Sequence, residues 1–156
     1  MLGFKIDETM IGDHKFEFGS FKERPNFMQF SITWGPKNIL KWLNPFDDDF
    51  MTQPLKGTIT IEGLCEEAPC EGTLALAYHE GRIRYDIYFS VNGTKFEYVG
   101  EKRDIRPWNL HRTHTTCYGN LYARTVFGTT LVSKSTTHFR LGTLPKFLKS
   151  FRFVRR

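Results

Sequence analysis

The chain has 156 residues, of which 40% are hydrophobic and 15% aromatic, including 15 phenylalanines. This composition excludes a disordered chain, and the length fits one domain, residues 1–156, with a sizeable core. The formal charge of +5 permits anionic partners without requiring them, so a nucleic-acid partner is not expected. No apolar run approaches the ~20 residues that cross a bilayer, so no membrane span is expected.

Alternating apolar and polar residues predict strands over most of the first third of the chain. The elements expected before residue 65 are, in order, strands Phe4–Thr9 and His14–Phe18 around a Gly12-Asp13 turn, strand Phe27–Trp34, a short helix Asn38–Leu43, a loop Pro45–Pro54 and strand Gly57–Glu62. Pro36 near the start of the helix and Pro45 after its end fit the positions that proline tolerates.

The clearest pattern lies between Leu74 and Gly100. Apolar residues alternate strictly over Ile83–Val91, and Asn92-Gly93 follows. That dipeptide is typical of a two-residue hairpin loop, because both residues tolerate positive φ. If these two residues form the loop, Phe89 faces Phe96 across the hairpin.

A second turn at Glu80-Gly81 would place Leu76 opposite Tyr85 and Leu74 opposite Ile87. Apolar residues then meet apolar residues in both hairpins, and a slip of one residue would mix the two faces. The sequence therefore predicts a three-stranded antiparallel meander here.

The last third of the chain predicts one more hairpin and a helix. Strands His111–Arg124 and Thr129–Arg140 join near Gly128. Thr143 is a suitable N-cap, and apolar residues recur at helical spacing after it. These residues are Leu144, Phe147, Leu148 and Phe151. We expect a short amphipathic helix that lies on the sheet with Phe147, Leu148 and Phe151 buried.

Many antiparallel strands with short turns predict an all-β fold. The expected architecture is an antiparallel, up-and-down, lipocalin-like (calycin-like) β-barrel of roughly 8–10 strands. It carries a short helix after the third strand and the amphipathic helix at the C-terminus. A β-sandwich is the alternative architecture.

Motifs that identify an enzyme are missing from the sequence, which has no GxGxxG, GxxxxGK[ST], GxSxG or HExxH. The three cysteines, Cys65, Cys70 and Cys117, form an odd set without a CxxC or a secretory leader, so we expect reduced thiols and a cytoplasmic protein. A cation at Asp47–Asp49 is disfavoured because the Gly and Glu of a calcium loop are missing. Neither a cofactor nor a metal is expected.

The polar cluster that could bind a ligand lies in Glu101–Thr116. Pro107 predicts a loop at one barrel end, where arginines could hold an anion or polar head group and a tryptophan could form a wall. His111 and His114 are three residues apart, on opposite faces of a strand, so they would not chelate one metal. The candidate ligand-binding residues are Arg106, Trp108, Arg112, His114, Tyr85 and Tyr98. A solvated loop and an aromatic core are the simpler alternatives for these residues.

Short motifs along nearly the whole chain carry a resemblance. They are Glu8-Thr9-Met10 with Gly12, Leu55 with Gly57, Gly72-Thr73-Leu74, Arg84-Tyr85 with Phe89, Phe96 to Gly100 with Lys102, His114-Thr115-Thr116, and Leu144-Pro145 to Phe151-Arg152. The chain resembles the small β-rich domain that accompanies cholesterol-oxidase-like flavoprotein oxidoreductases of the glucose–methanol–choline class. The resemblance implies a stand-alone barrel linked to lipid or sterol metabolism, which would work with a flavoprotein oxidoreductase. It implies no flavin in this chain and transfers no catalytic residue.

Three functions remain open at this point. The first is a binding or accessory domain for an apolar or amphipathic small molecule, such as a lipid or sterol. The second is a protein-interaction module with a filled core. The third is a small barrel isomerase or cyclase with His114 or Tyr118 as the proton-transfer group. Catalysis is the least expected of the three.

Overall fold

The computed structural model describes residues 1–19, 24–105 and 116–155. These residues form nine strands and two short α-helices, together with two single-turn 3-10 helices. The strands are β1 (Leu2–Phe16), β2 (Asn26–Trp34), β3 (Thr52–Ile61), β4 (Cys65–Ala77), β5 (Arg82–Val91), β6 (Thr94–Lys102), β7 (Thr116–Thr125), β8 (Gly128–His138) and β9 (Arg152–Arg155). The helices are α1 (Ile39–Trp42) and α2 (Leu144–Lys149). Neither helix has the length and apolar character needed to cross a bilayer.

Strands β1 to β8 form a closed antiparallel barrel. Each strand pairs with the next one in sequence, and β8 returns to pair with β1 at Ile11–Phe16. The predicted antiparallel up-and-down barrel is thus confirmed, and the alternative of a β-sandwich is wrong. Each of the eight strands pairs on both sides over at least part of its length, and such closure is how these folds avoid edge-to-edge association.

The hairpin between β5 and β6 has the predicted register. Asn92 and Gly93 adopt φ of 49° and 82°, as a primed two-residue turn requires. Phe89 pairs with Phe96, and their rings stack with centroids 5.4 Å apart.

The hairpin between β4 and β5 differs from the prediction by two residues. Leu76 pairs with Ile83 and Leu74 with Tyr85. The reason is a longer connection, in which residues 78–80 form a 3-10 turn and Gly81 adopts φ of 69°. A shift of two residues preserves the inward face, so the apolar side chains still reach the core.

The predicted turn at Gly12-Asp13 is wrong, because β1 runs through it as one strand. Gly12 lies between Met28 of β2 and Thr137 of β8. A Cβ atom at Gly12 would lie 2.0 Å from the Thr136 carbonyl oxygen. Glycine here allows a close approach of two strands rather than a change of chain direction.

The C-terminal helix is present, but its expected burial is wrong. Phe147 is half-buried against Phe139, with ring centroids 5.2 Å apart. Leu148 and Phe151 keep 59% and 43% of their surface exposed. Pro145 lies in the first turn as expected, whereas Thr143 makes no side-chain cap.

Strand β9, which the sequence pattern did not indicate, pairs with β1 at Leu2–Lys5. It pairs with the same edge of β1 as β8 does, nearer the start of β1, and α2 connects the two strands. Between the two strands, the Asp7 amide donates a hydrogen bond to Ser150 Oγ at 2.9 Å. The same hydroxyl donates to the Phe147 carbonyl oxygen at 2.6 Å, so it links α2 to β1.

The two ends of the barrel differ. Strands β3 and β4, β5 and β6, and β7 and β8 are joined by two or three residues at one end, which we call the short-loop end. At the other end β2 connects to β3 through α1, and β8 connects to β9 through α2. Strand β6 also ends and β7 begins there. We call this second end the long-loop end, and loops of this kind are where binding residues concentrate.

Candidate ligand-binding site

Four of the predicted site residues, Arg106, Trp108, Arg112 and His114, lie outside the described residues. Their clustering therefore stays a prediction, and the same holds for His111. The segment that contains them leaves β6 and enters β7 at the long-loop end. Tyr118, the alternative proton-transfer group, is 46% exposed, and its ring faces Arg103 on the outer surface.

Tyr85 and Tyr98 lie inside the barrel. Each ring centroid is 5.6 Å from that of Phe30, and the three side chains are at most 1% exposed. The three rings are therefore packed so closely that water has almost no access to them. The interior of an eight-stranded barrel is just wide enough for side chains, which fits this packing. The role of both tyrosines in ligand binding stays a prediction.

A buried ion pair lies next to Tyr85. The Tyr85 hydroxyl donates to Glu8 Oε1 at 2.6 Å, and Lys102 Nζ donates to Glu8 Oε2 at 3.4 Å. The side chains of Glu8 and Lys102 are 6% and 5% exposed. Burial and the negative charge of Glu8 raise the pKa of Tyr85 well above its usual value, so this phenol stays a donor.

Sequence reasoning missed this ion pair. Glu8 lies between the inward residues Ile6 and Met10 on alternating positions of β1, and Lys102 ends the inward row of β6. The signal was a charge at a position that strand periodicity assigns to the core. Because the two charges come from distant parts of the sequence, their partnership was not visible.

The three cysteines are free thiols in the structure. Cys117 lies inside the barrel near the Tyr98 hydroxyl, and burial raises the pKa of its thiol to about 11. Burial also raises the pKa of Cys70 to about 11. Both thiols are therefore protonated at neutral pH and are poor nucleophiles.

His14 is another buried titratable group, and it lies towards the short-loop end. Its Nε2 contacts the Glu62 carbonyl oxygen at 3.0 Å, and its Nδ1 contacts Ser133 Oγ at 3.1 Å. Burial lowers the pKa of His14 because the charged imidazolium loses its hydration. These contacts explain His14 as a neutral structural side chain.

Two adjoining grooves lie at the long-loop end and share Pro36, Lys37 and Pro54. The first has a volume of about 280 Å³, and Lys5, Lys37 and Lys56 are among its lining residues, which include no acidic one. The second, of about 450 Å³, is lined by Lys37 and Lys41 with one acidic residue, Asp49. The grooves therefore favour a negatively charged ligand.

Trp34 and Gln53, which line the first and the second groove, each carry a buried donor without an acceptor among the described residues. The donors are Trp34 Nε1 and Gln53 Nε2, and neither atom is accessible to water. Trp42 Nε1 donates to Gln53 Oε1 at 2.6 Å, which fixes the amide so that its nitrogen faces away from Trp42. An unpaired buried donor costs about 1–3 kcal/mol, and such groups call for an explanation.

A row of aromatic rings leads from these grooves to the protein surface. Phe4 contacts Trp34 and Trp42 at centroid distances of 6.3 and 5.4 Å. On its other side Phe4 contacts Phe151 at 5.1 Å, and Phe151 contacts Phe153 at 5.2 Å. The row provides an apolar surface beside the basic grooves.

The described residues contain no group of three or more histidine, cysteine or acidic side chains that could hold a metal ion. Comparison with protein-family models, with curated proteins and with solved structures finds no match for this chain.

Proposed function

We propose that this chain is a lipocalin-like binding barrel that takes a small amphipathic molecule with a carboxylate or similar anionic head group at the long-loop end. The observation that supports this most is a pair of unpartnered buried donors, Trp34 Nε1 and Gln53 Nε2, on residues that line two grooves carrying lysines. A ligand oxygen would supply the missing acceptor once the atoms that cover these two nitrogens move aside. A hydrogen bond to a charged group contributes about 1.5–3 kcal/mol.

The apolar part of the ligand has a place beside the head group. The rings of Phe4, Trp34 and Trp42 lie at the grooves, and burial of apolar surface contributes about 25 cal/mol per Å². The ligand would lie at the barrel mouth and not in a deep lipocalin cavity, because the rings of Tyr85 and Tyr98 are packed in the interior. The predicted residues Arg106, Trp108, Arg112 and His114 would extend the same mouth.

The resemblance to the accessory domain of cholesterol-oxidase-like flavoproteins extends the proposal to its setting. The ligand would be a lipid or sterol derivative, and the barrel would work beside a flavoprotein oxidoreductase that the chain itself does not contain. Co-purification of such a flavoprotein with the tagged barrel would support this setting, and its absence from the bound fraction would contradict it.

Calorimetric titration of the purified protein with laurate and with lauryl alcohol tests the proposal. We expect saturable binding of laurate and weaker binding of the alcohol, which lacks the charge. Trp34→Phe removes the indole N–H and keeps an aromatic ring, so it should weaken laurate binding roughly 10-fold, as the loss of one charge-assisted hydrogen bond predicts. Lys37→Gln should weaken it as well.

The matched control is Lys95→Gln, which neutralises an exposed lysine at the short-loop end. It should leave laurate binding unchanged. Arg112→Ala and Trp108→Ala test the predicted extension of the site in the same assay. If laurate does not bind, or binds equally well to the wild type and to Trp34→Phe, the proposal is wrong.

The protein-interaction module remains the second candidate, and the packed interior favours it. Phe30, Tyr85 and Tyr98 fill the middle of the barrel and leave no water-sized space against their rings. Failure of both titrations would make this module the leading function.

A further inference from the structure

The C-terminal part of the chain combines exposed apolar side chains with a one-sided charge. Residues 139–156 include six lysines and arginines and no aspartate or glutamate. Among its apolar side chains, Leu148 is 59% exposed and Phe153 is 65% exposed, with Leu144 and Phe151 near 40%, at 39% and 43%. We call this surface, formed by α2 and β9, the C-terminal face.

These exposed side chains lie outside the buried core, although the Phe151 ring contacts Phe4. Phe147 turns towards the barrel and packs on Phe139, and Ser150 joins the segment to Asp7 of β1. Leu144 and Leu148 lie four residues apart in α2, so they share one side of that helix. After the helix, Phe151 is in ring contact with Phe153 of β9, which adds a second exposed apolar pair.

Basic side chains accompany this apolar surface. Lys146, Lys149 and Arg155 are exposed. Arg152 is half-exposed and forms an ion pair with Asp7 at 3.4 Å. A cationic segment with leucine and phenylalanine on its apolar side is the pattern of peptides that lie in the interface of a membrane.

We infer that the C-terminal face is a docking surface for a bilayer that contains anionic lipids. Charge complementarity selects this partner, because each lysine or arginine near an anionic leaflet strengthens binding by about fivefold. The exposed leucine and phenylalanine side chains would enter the boundary between head groups and acyl chains. Val154 of β9 and Lys5 of β1 line the first groove, so docking would bring the mouth of that groove next to the lipid.

A second exposed apolar site provides a contrast. Val126 and Phe127, at the short-loop end, are 94% and 98% exposed. The nearest basic residue in sequence, Arg124, is paired with Glu97 at 2.7 Å. That tip therefore has apolar exposure without the cluster of cations, and it serves as the matched control.

Flotation of the full chain with vesicles tests the inference. Vesicles of phosphatidylcholine alone are compared with vesicles in which about a third of the lipid is phosphatidylserine. We expect binding to the second kind only, with a loss of binding at high salt, since salt screens exposed charges. Lys149→Gln combined with Arg155→Gln should reduce binding by more than 10-fold, following the factor of about five for each cation.

Phe153→Ser should also reduce binding severalfold, whereas Phe127→Ser and Lys95→Gln should not. Phe153 is exposed, so its replacement leaves the fold intact, and circular dichroism verifies this. Trp34→Phe should bind vesicles as the wild type does, which separates this inference from the proposal for the grooves. Absence of vesicle binding, equal binding to both vesicles, or an equal effect of Phe127→Ser and Phe153→Ser would overturn the inference. In the first case an acidic protein partner would be the remaining occupant of the face.

Discussion

The buried ion pair of Glu8 and Lys102 leads to the most quantitative prediction. Replacing Glu8 with glutamine keeps an acceptor for the Tyr85 hydroxyl but leaves the Lys102 ammonium buried without a counter-charge. Removing one partner of a buried pair typically costs about 3–5 kcal/mol. Since domains have a total stability of about 5–15 kcal/mol, we expect Glu8→Gln to lose a large part of the free energy of unfolding.

Urea unfolding followed by tryptophan fluorescence measures this loss. The double variant Glu8→Gln with Lys102→Met removes both charges, and it should recover most of the stability, because replacing a whole buried pair is often neutral. Glu80→Gln is the matched control. It breaks an ion pair with Arg82 that is shorter, at 2.7 Å, but roughly half exposed, so it should cost at most about 1 kcal/mol.

Two results would refute this reasoning. The first is a Glu8→Gln variant within about 1 kcal/mol of the wild type, which would show that the ammonium reaches water or another partner. The second is a double variant as unstable as the single one. In that case the loss would come from packing around Glu8 rather than from the unpaired charge of Lys102.

Two further predictions concern stability. A Cβ atom at Gly119 would lie 2.3 Å from the buried ring of Tyr98, so Gly119→Ala should cost on the order of 1–3 kcal/mol in urea unfolding. In the folded protein the pKa of His14 lies below the ordinary value of 6.5. As the pH falls, His14 therefore becomes protonated in the unfolded chain before it does in the folded one. The free energy of unfolding should therefore decrease from about pH 6.5 downwards until the folded pKa is reached, and His14→Gln should remove that part of the decrease.

The chain offers a control variant for the Gly119 prediction and another for the His14 prediction. Gly142 has open space where a Cβ would lie, so Gly142→Ala should change the stability little. A loss at Gly142 equal to that at Gly119 would contradict the role of the Tyr98 ring. His79 is mostly exposed, so His79→Gln should keep the decrease below pH 6.5. If His14→Gln keeps it as well, the burial of His14 is not its cause.

Strand periodicity was sufficient for much of the fold. The alternation over Ile83–Val91 and the Asn92-Gly93 turn predicted β5, β6 and their register, because both signals are local. The Glu80-Gly81 turn was misplaced by two residues, since the 3-10 turn before Gly81 leaves no periodic signal. Gly12 was misread as a turn. Glycine is required there because the backbone of another strand, more than 100 residues away in sequence, lies too close to leave room for a Cβ atom.

The candidate site was harder to predict than the fold. Trp34 lies at the end of the predicted strand Phe27–Trp34, but its unpartnered N–H depends on which groups surround it in the folded structure. Gln53 was placed in a loop, although it is an inward residue of β3 that Trp42 holds in one orientation. Unpaired donors are properties of the folded arrangement, so a single sequence gives no direct sign of them.

The hydroxyl of Ser150 lies at a break in the strand pairing of β1, between the parts of β1 that pair with β8 and with β9. On the edge of β1 that β8 and β9 share, residues 6–10 have no strand partner within the described part of the chain. At Asp7 a side chain takes the place of a ladder bond. The pairings that close the barrel lie among β1 to β8, so we expect α2 and β9 to open locally before the barrel unfolds. The Asp7 amide would then exchange its hydrogen by local opening, at a smaller free energy than the amides of β5 and β6. We therefore expect the C-terminal face to open first at this seam, and hydrogen exchange at the Asp7 amide would report that opening.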